Sequence, residues 1–179
     1  RISVELPTSV SNGSISATAN GTTYTNSFVV DYGTEVTINA NANTGYHLNS
    51  LKNGSTNIAN GITLTATSTI SISCSFIINT YTINITQPAS NGTITVTSAG
   101  EHHTSNFTVT HGTTITITAT PNTGYNFNSL LVNGNSFTSG NSIVVTDNVT
   151  ISGSTSANSY LVTITQPANG TISAVYNNI

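Results

Sequence analysis

The sequence predicts an all-β fold of tandem small antiparallel modules, sandwich-like or β-grasp-like. Three observations predict it. Apolar residues alternate with a period of two, turn signals recur about every 8 to 12 positions, and the whole pattern returns after 79 residues. A period this long in a chain of 179 residues makes the repeat the unit of folding.

The repeat is read directly from short words. Asn12-Gly13-Ser14-Ile15 returns as Asn91-Gly92-Thr93-Ile94, and Gly33-Thr34 with Val36 and Ile38 returns as Gly112-Thr113 with Ile115 and Ile117. Asn43-Thr44-Gly45-Tyr46 returns as Asn122-Thr123-Gly124-Tyr125, and Tyr81 returns as Tyr160. The stretch from Lys52 to Thr67 reads as a loop whose register drifts by a residue or two. These words divide the chain into module 1 (1–80), module 2 (81–159) and the first two strands of an incomplete third copy (160–179).

Within a copy, Ile83 and Ile85, Ile94 and Val96, Phe107 and Val109, and Ile115 and Ile117 each form an alternating apolar set. Alternation places one side of a strand in a core and the other in water. The last strand of module 1 carries Ile70, Ile72, Cys74 and Phe76 inward. Asn-Gly pairs at 53–54, 91–92 and 133–134 predict tight hairpin turns, because both residue types accept positive φ. Six or seven strands per copy are expected. Thr69 to Gln87 contains neither Gly nor Pro, so the last strand of one module should run almost directly into the first of the next through a short, stiff junction.

Composition narrows the function. Charged residues are 4% of the chain, so its surface is covered by hydroxyls and amides. Arg1 and Lys52 are the two basic residues, too few to neutralise a nucleic-acid backbone or an anionic bilayer. No apolar run approaches the roughly 20 residues that a membrane-spanning helix needs. One cysteine cannot form an intrachain disulfide. Nucleic acid and membrane insertion are therefore excluded as expectations, and the absence of a signal peptide at Arg1 suggests a mature product or an internal fragment.

Gly-Thr-x-Val/Ile-x-Ile, then Gly-Tyr-x-Phe/Leu, then Asn-Gly, then a closing strand leading to a new Tyr resembles the divergent internalin B-repeat family of bacteria. Asn91-Gly92-Thr93, Gly112-Thr113, Gly124-Tyr125 and Phe127 carry the resemblance in module 2; Asn12-Gly13, Gly33-Thr34, Gly45-Tyr46 and Leu48 carry it in module 1. Such modules usually bear a Trp just after this stretch, where this chain has Leu51 and Leu130, so an aliphatic packing centre is expected. The resemblance implies small β modules, some β-grasp-related, strung along surface proteins and adhesins. It implies an extracellular or cell-surface location and no catalysis.

The internal repeat also tests for chemistry, since a charge essential to the module should recur in both copies. Glu5, Asp31 and Glu35 meet Asn84, Thr110 and Thr114 at the 79-residue shift, and Glu101 and Asp147 meet Thr22 and Ser68. General acid–base or paired-carboxylate chemistry is thus not written into the module. No catalytic, cofactor or metal residue is assigned. His102 and His103 are adjacent on an extended segment and point to opposite faces, which is poor geometry for shared ligation. His103 and His111 replace Tyr24 and Tyr32, which marks these as ring positions. Cys74 reads as a small inward thiol. Eight Asn-x-Ser/Thr sequons are the number that chance yields in so Asn- and Thr-rich a chain. Module 2 lacks Lys, so a Lys–Asn isopeptide staple is not general.

The expected role is structural: a stalk or spacer of a surface adhesin, or a filament subunit, joined to neighbouring modules or copies by β-strand addition through the 160–179 tail. The alternative is a carbohydrate-binding module offering Tyr24, Tyr32, His103 and His111 to host or environmental glycans. Ice binding through Thr114, Thr116 and Thr118 requires a flat, exposed, regular Thr face.

Overall fold

The computed structural model describes residues 1–175. Each copy folds as nine strands and, among the described residues, no helix is present. Module 1 contains β1 (Ile2–Glu5), β2 (Gly13–Ala19), β3 (Thr22–Tyr24), β4 (Phe28–Val30), β5 (Glu35–Ala42), β6 (Tyr46–Asn53), β7 (Thr56–Asn57), β8 (Thr63–Thr65) and β9 (Ile70–Ile78). Module 2 repeats them as β10 (Thr80–Thr86), β11 (Gly92–Ser98), β12 (Glu101–His103), β13 (Phe107–Thr110), β14 (Thr114–Pro121), β15 (Tyr125–Val132), β16 (Asn135–Ser136), β17 (Ser142–Val144) and β18 (Val149–Ala157). The count exceeds six or seven because strands of two or three residues, such as β7 and β16, carry too little alternation to be seen.

Two sheets face one another in each module. One has the order β4-β1-β9-β6-β7, the other β3-β2-β5-β8, and module 2 repeats both as β13-β10-β18-β15-β16 and β12-β11-β14-β17. Their inner faces form one core per module. In the first it runs through Val4, Ile15, Ala17, Val36, Ile38, Leu51, Ile70 and Ile72, and in the second through Ile83, Ile94, Val96, Ile115, Ile117, Leu130, Val149 and Ile151. Large and small side chains alternate across the register: Ile15 faces Ala40, Ala17 faces Ile38 and Ala19 faces Val36. Leu51 and Leu130 are 3% and 7% exposed, so the packing centre is aliphatic as expected.

Most pairings are antiparallel, but the first and last strands of each module lie side by side in parallel. β1 meets β9 at Val4↔Ile70 and Glu5↔Ser71, and β10 meets β18 from Ile83↔Val149 to Thr86↔Ser152. Alternation does not encode strand direction, which is why the purely antiparallel expectation missed this. The long excursion through the second sheet supplies the crossover that a parallel pair requires.

The loop from Lys52 to Thr67 does not drift. β7 and β16, and β8 and β17, keep the 79-residue spacing. What moved is the Asn-Gly word: in module 1 the turn is Gly54-Ser55, with Asn53 inside β6, whereas in module 2 it is Asn133-Gly134. Gly54 and Asn133 are the equivalent positive-φ positions, at 58° and 49°. Asn53 and Asn133 each accept the neighbouring strand's amide, from Ser71 at 3.0 Å and Thr150 at 2.8 Å. Asn60 and Ser139 likewise play one part, bonding both backbone groups of Ala40 and of Ala119.

Asn91-Gly92 is not a hairpin turn. Asn12 and Asn91 take positive φ ahead of β2 and β11, and their carbonyls each accept one amide, from Asn43 and Asn122, at 3.0 Å. The following glycine is needed for close approach. Gly13 lies under the Phe76 ring, and a Cβ on Gly92 would stand 2.8 Å from the Phe127 ring.

Residues 160–175 form no strand and are exposed. Their opening loop is nonetheless closed as in module 2. Gln166 accepts the Ile172 amide at 2.8 Å and donates to its carbonyl at 2.6 Å, as Gln87 does with Ile94 at 2.8 and 2.7 Å. The remainder of the tail, 176–179, lies outside the described residues.

Candidate functional site: the junction between the modules

A single residue, Asn79, separates β9 from β10. Its backbone is used on both sides: the Asn79 amide donates to the Gly45 carbonyl at 2.8 Å, and its own carbonyl accepts the His111 amide at 2.8 Å. Gly45 belongs to module 1 and His111 to module 2, so one residue stitches the turn before β6 to the turn after β13. Its side chain adds to the stitch. His47 Nδ1–H donates to Asn79 Oδ1 at 2.7 Å, and Asn79 Nδ2 reaches the Tyr81 hydroxyl at 3.5 Å. That hydroxyl lies 3.5 Å from His111 Nδ1.

The contact is shaped by a glycine. Gly45 has a φ of 81°, open to glycine at little cost, and the His111 ring occupies the space a side chain there would fill. Gly45 is consequently buried, whereas its repeat Gly124 is exposed and has nothing within 4 Å of an added Cβ. The repeat of His111 in module 1, Tyr32, is 72% exposed. At the far end the same hardware is present: the Asn158 amide donates to the Gly124 carbonyl at 2.8 Å, and Asn158 Nδ2 reaches the Tyr160 hydroxyl at 3.4 Å. The connection expected to be short from the absence of Gly and Pro is one residue long and is hydrogen-bonded to both modules. Gly45 and His111 could be found in the sequence only as a recurring Gly and a recurring ring position, and His47, whose repeat is Asn126, not even as that, because nothing local shows that the three converge on Asn79.

The other ring positions are engaged inside their own modules. Tyr24 stacks on Phe28 with centroids 3.8 Å apart, and His103 stacks on Phe107 at 3.7 Å. This explains why either ring type serves there. His102 Nδ1 sits 2.9 Å from the Thr97 hydroxyl, away from His103. Among the described residues no cluster of three or more His, Cys, Asp or Glu could hold a metal ion.

Cys74 is half-buried against the core, and burial pushes its thiol pKa up. The carboxylates are exposed, and Arg1 and Asp31 come no closer than 3.9 Å. Thr93, Thr95 and Thr97 of β11 face Thr120, Thr118 and Thr116 of β14, but the same places in module 1 hold Ser14, Ser16 and Thr18 against Asn41, Asn39 and Thr37. A Thr face is therefore a property of one copy, not of the module.

A shallow groove does recur. β6 and β15 are each bulged, between Leu48 and Ser50 and between Phe127 and Ser129. Beside each bulge a cross-strand hydroxyl pair forms, Ser50 with Ser75 at 2.7 Å and Ser129 with Ser154 at 2.8 Å. Leu48, Asn49 and Ile58 line it in module 1, and Phe127, Asn128 and Phe137 in module 2, where it encloses about 360 Å³.

Comparison with known proteins agrees with the repeat. A family model described as the divergent InlB B-repeat domain matches twice, over residues 11–80 and 81–159. No curated protein and no solved structure matches.

Proposed function

Since the chain belongs to the divergent InlB B-repeat family, a bacterial surface repeat family that is typically non-catalytic, we propose that it is a stalk or spacer segment of an extracellular or cell-surface protein. The observation that carries this reading is the junction. Asn79 joins two modules with no free linker and is bonded to both, so the second module is held in a fixed direction and can set distance. Interfaces within a chain otherwise tend to permit relative motion. A Gly124–Asn158 contact of the same form gives the next module an equivalent seat.

Small-angle X-ray scattering of the chain and of a variant with six Gly/Ser residues inserted after Asn79 tests it. One fixed inter-module arrangement should fit the parent profile, and the insertion should require an ensemble. A parent profile that already demands an ensemble would remove the spacer reading. Assembly into a filament by strand addition remains the second form of this proposal, tested by electron microscopy of concentrated material.

The groove of module 2, where Phe127 and Phe137 lie beside the Ser129–Ser154 hydroxyl pair, supports the glycan-binding reading better than Tyr24, His103 and His111 do, because those three rings are already packed and only Tyr32 of that set is exposed. Glycan-array screening of the parent and of Phe137→Ala tests it. Signal lost with Phe137→Ala supports a saccharide site in the groove, and no signal from the parent removes it.

A further inference from the structure

The parallel pairing of first and last strands has a mechanical meaning. In module 2 the chain enters at Thr80, at the start of β10, and leaves at Ala157, at the end of β18. The two strands are neighbours and run the same way. Tension applied through the chain therefore pulls β10 backward along its axis and β18 forward along its axis. The rungs between Ile83↔Val149 and Thr86↔Ser152 lie across that pull, so they are loaded together in shear and must fail together. Had the two strands been antiparallel neighbours, both pulled ends would lie at one end of the pair and the rungs would open one at a time.

Two further features place this pair in the load path. β18 is the central strand of its sheet, with β15 bonded along its other side from Tyr125↔Ala157 to Val132↔Ile151. Ile83 and Ile151, the inward residues of the two strands, are both 0% exposed, so sliding one strand past the other would drag core side chains through a close-packed interior. Module 1 repeats the arrangement with β1 and β9, and β9 passes its load through Asn79 directly into β10. We propose that each module is a force-bearing clamp and that the array is built to stay folded under tension along the chain. The biological use of the clamp rests on the spacer reading, but the clamp itself is a property of the module.

The test compares two directions of pull on the same module. In a Cys74→Ala background, paired cysteines at Thr80 and Ala157 load the strands in shear, while paired cysteines at Thr80 and Thr146 pull the two strands apart from their common starting end. All three anchor sites are exposed. Single-molecule force spectroscopy at one pulling speed should give a mean unfolding force for the first pair at least about twice that for the second, because forced unfolding reports the barrier along the loaded direction. If the cysteine at 146 prevents folding, the exposed Asp147 replaces it as anchor. Equal forces, or a weaker 80–157 direction, overturn the clamp. A chain that is rigid in scattering yet yields equally in both directions loses the clamp and keeps the spacer, so the two failures are distinguishable.

Discussion

Gly45 and Gly124 share a backbone conformation, with φ of 81° and 83°, and differ in what lies above them. A side chain at either position costs roughly 1–2 kcal/mol for its left-handed backbone. At Gly45 it must also expel the His111 ring. Gly45→Ala is thus expected to lower the melting temperature more than Gly124→Ala, and to separate the unfolding of the two modules. Equal shifts would mean that the junction contributes nothing. Cys74 offers a second test at this scale. Burial raises its pKa, so at a given pH near 8 less of it is thiolate than of an ordinary thiol, and the thiolate is the reacting species. Labelling of the native chain with a thiol reagent should therefore be slower than that of the urea-unfolded chain, with the gap narrowing as pH rises above the ordinary thiol range. Cys74→Ala should fold, since module 2 holds Gly153 at the equivalent place.

At the scale of strands, the aromatic that covers the conserved-in-repeat glycine is exchanged between neighbours. Leu48 of β6 pairs with Phe76 of β9, and the ring of Phe76 covers Gly13. In module 2 the pair is Phe127 of β15 with Thr155 of β18, and the ring of Phe127 covers Gly92. Phe76→Thr should cost about 3 kcal/mol, as large buried truncations do. Adding Leu48→Phe should recover a substantial part by restoring a ring from the other strand. Chemical denaturation of the single and double variants measures it, and additive losses would refute the exchange. Much of this level was legible in the sequence. The inward sets at Ile83 and Ile85, Ile94 and Val96, and Ile115 and Ile117 all lie in the core, because one-sided burial forces period two. Strand direction was not legible, nor was the true turn at Gly54-Ser55, because an Asn-Gly word one residue out of place looks like a shifted loop when only letters are compared. The junction was half legible: the lack of Gly and Pro around Asn79 showed, but the convergence of Gly45, His47 and His111 is a property of three dimensions.

For the whole molecule, stability rests on two separate apolar cores and hardly at all on charge. With charged residues at 4% and Arg1 and Asp31 both highly exposed at 3.9 Å, ion pairing contributes little. The melting temperature should therefore move little between low salt and about 0.3 M sodium chloride, across which exposed pairs would be screened. A large drop would show that the polar surface conceals an electrostatic contribution. The single-residue connection at Asn79 also has a hereditary consequence. Because the period is 79 and the Gly–Asn contact of the junction sits at a fixed phase within it, loss or gain of one whole period at the gene level rejoins like to like: a chain spliced from Ile78 to Asn158 has lost one copy and still presents an Asn beside Gly45. Any other length change breaks the phase. Recombination between neighbouring copies can thus alter the reach of such a protein in fixed steps while keeping the Gly–Asn contact in place.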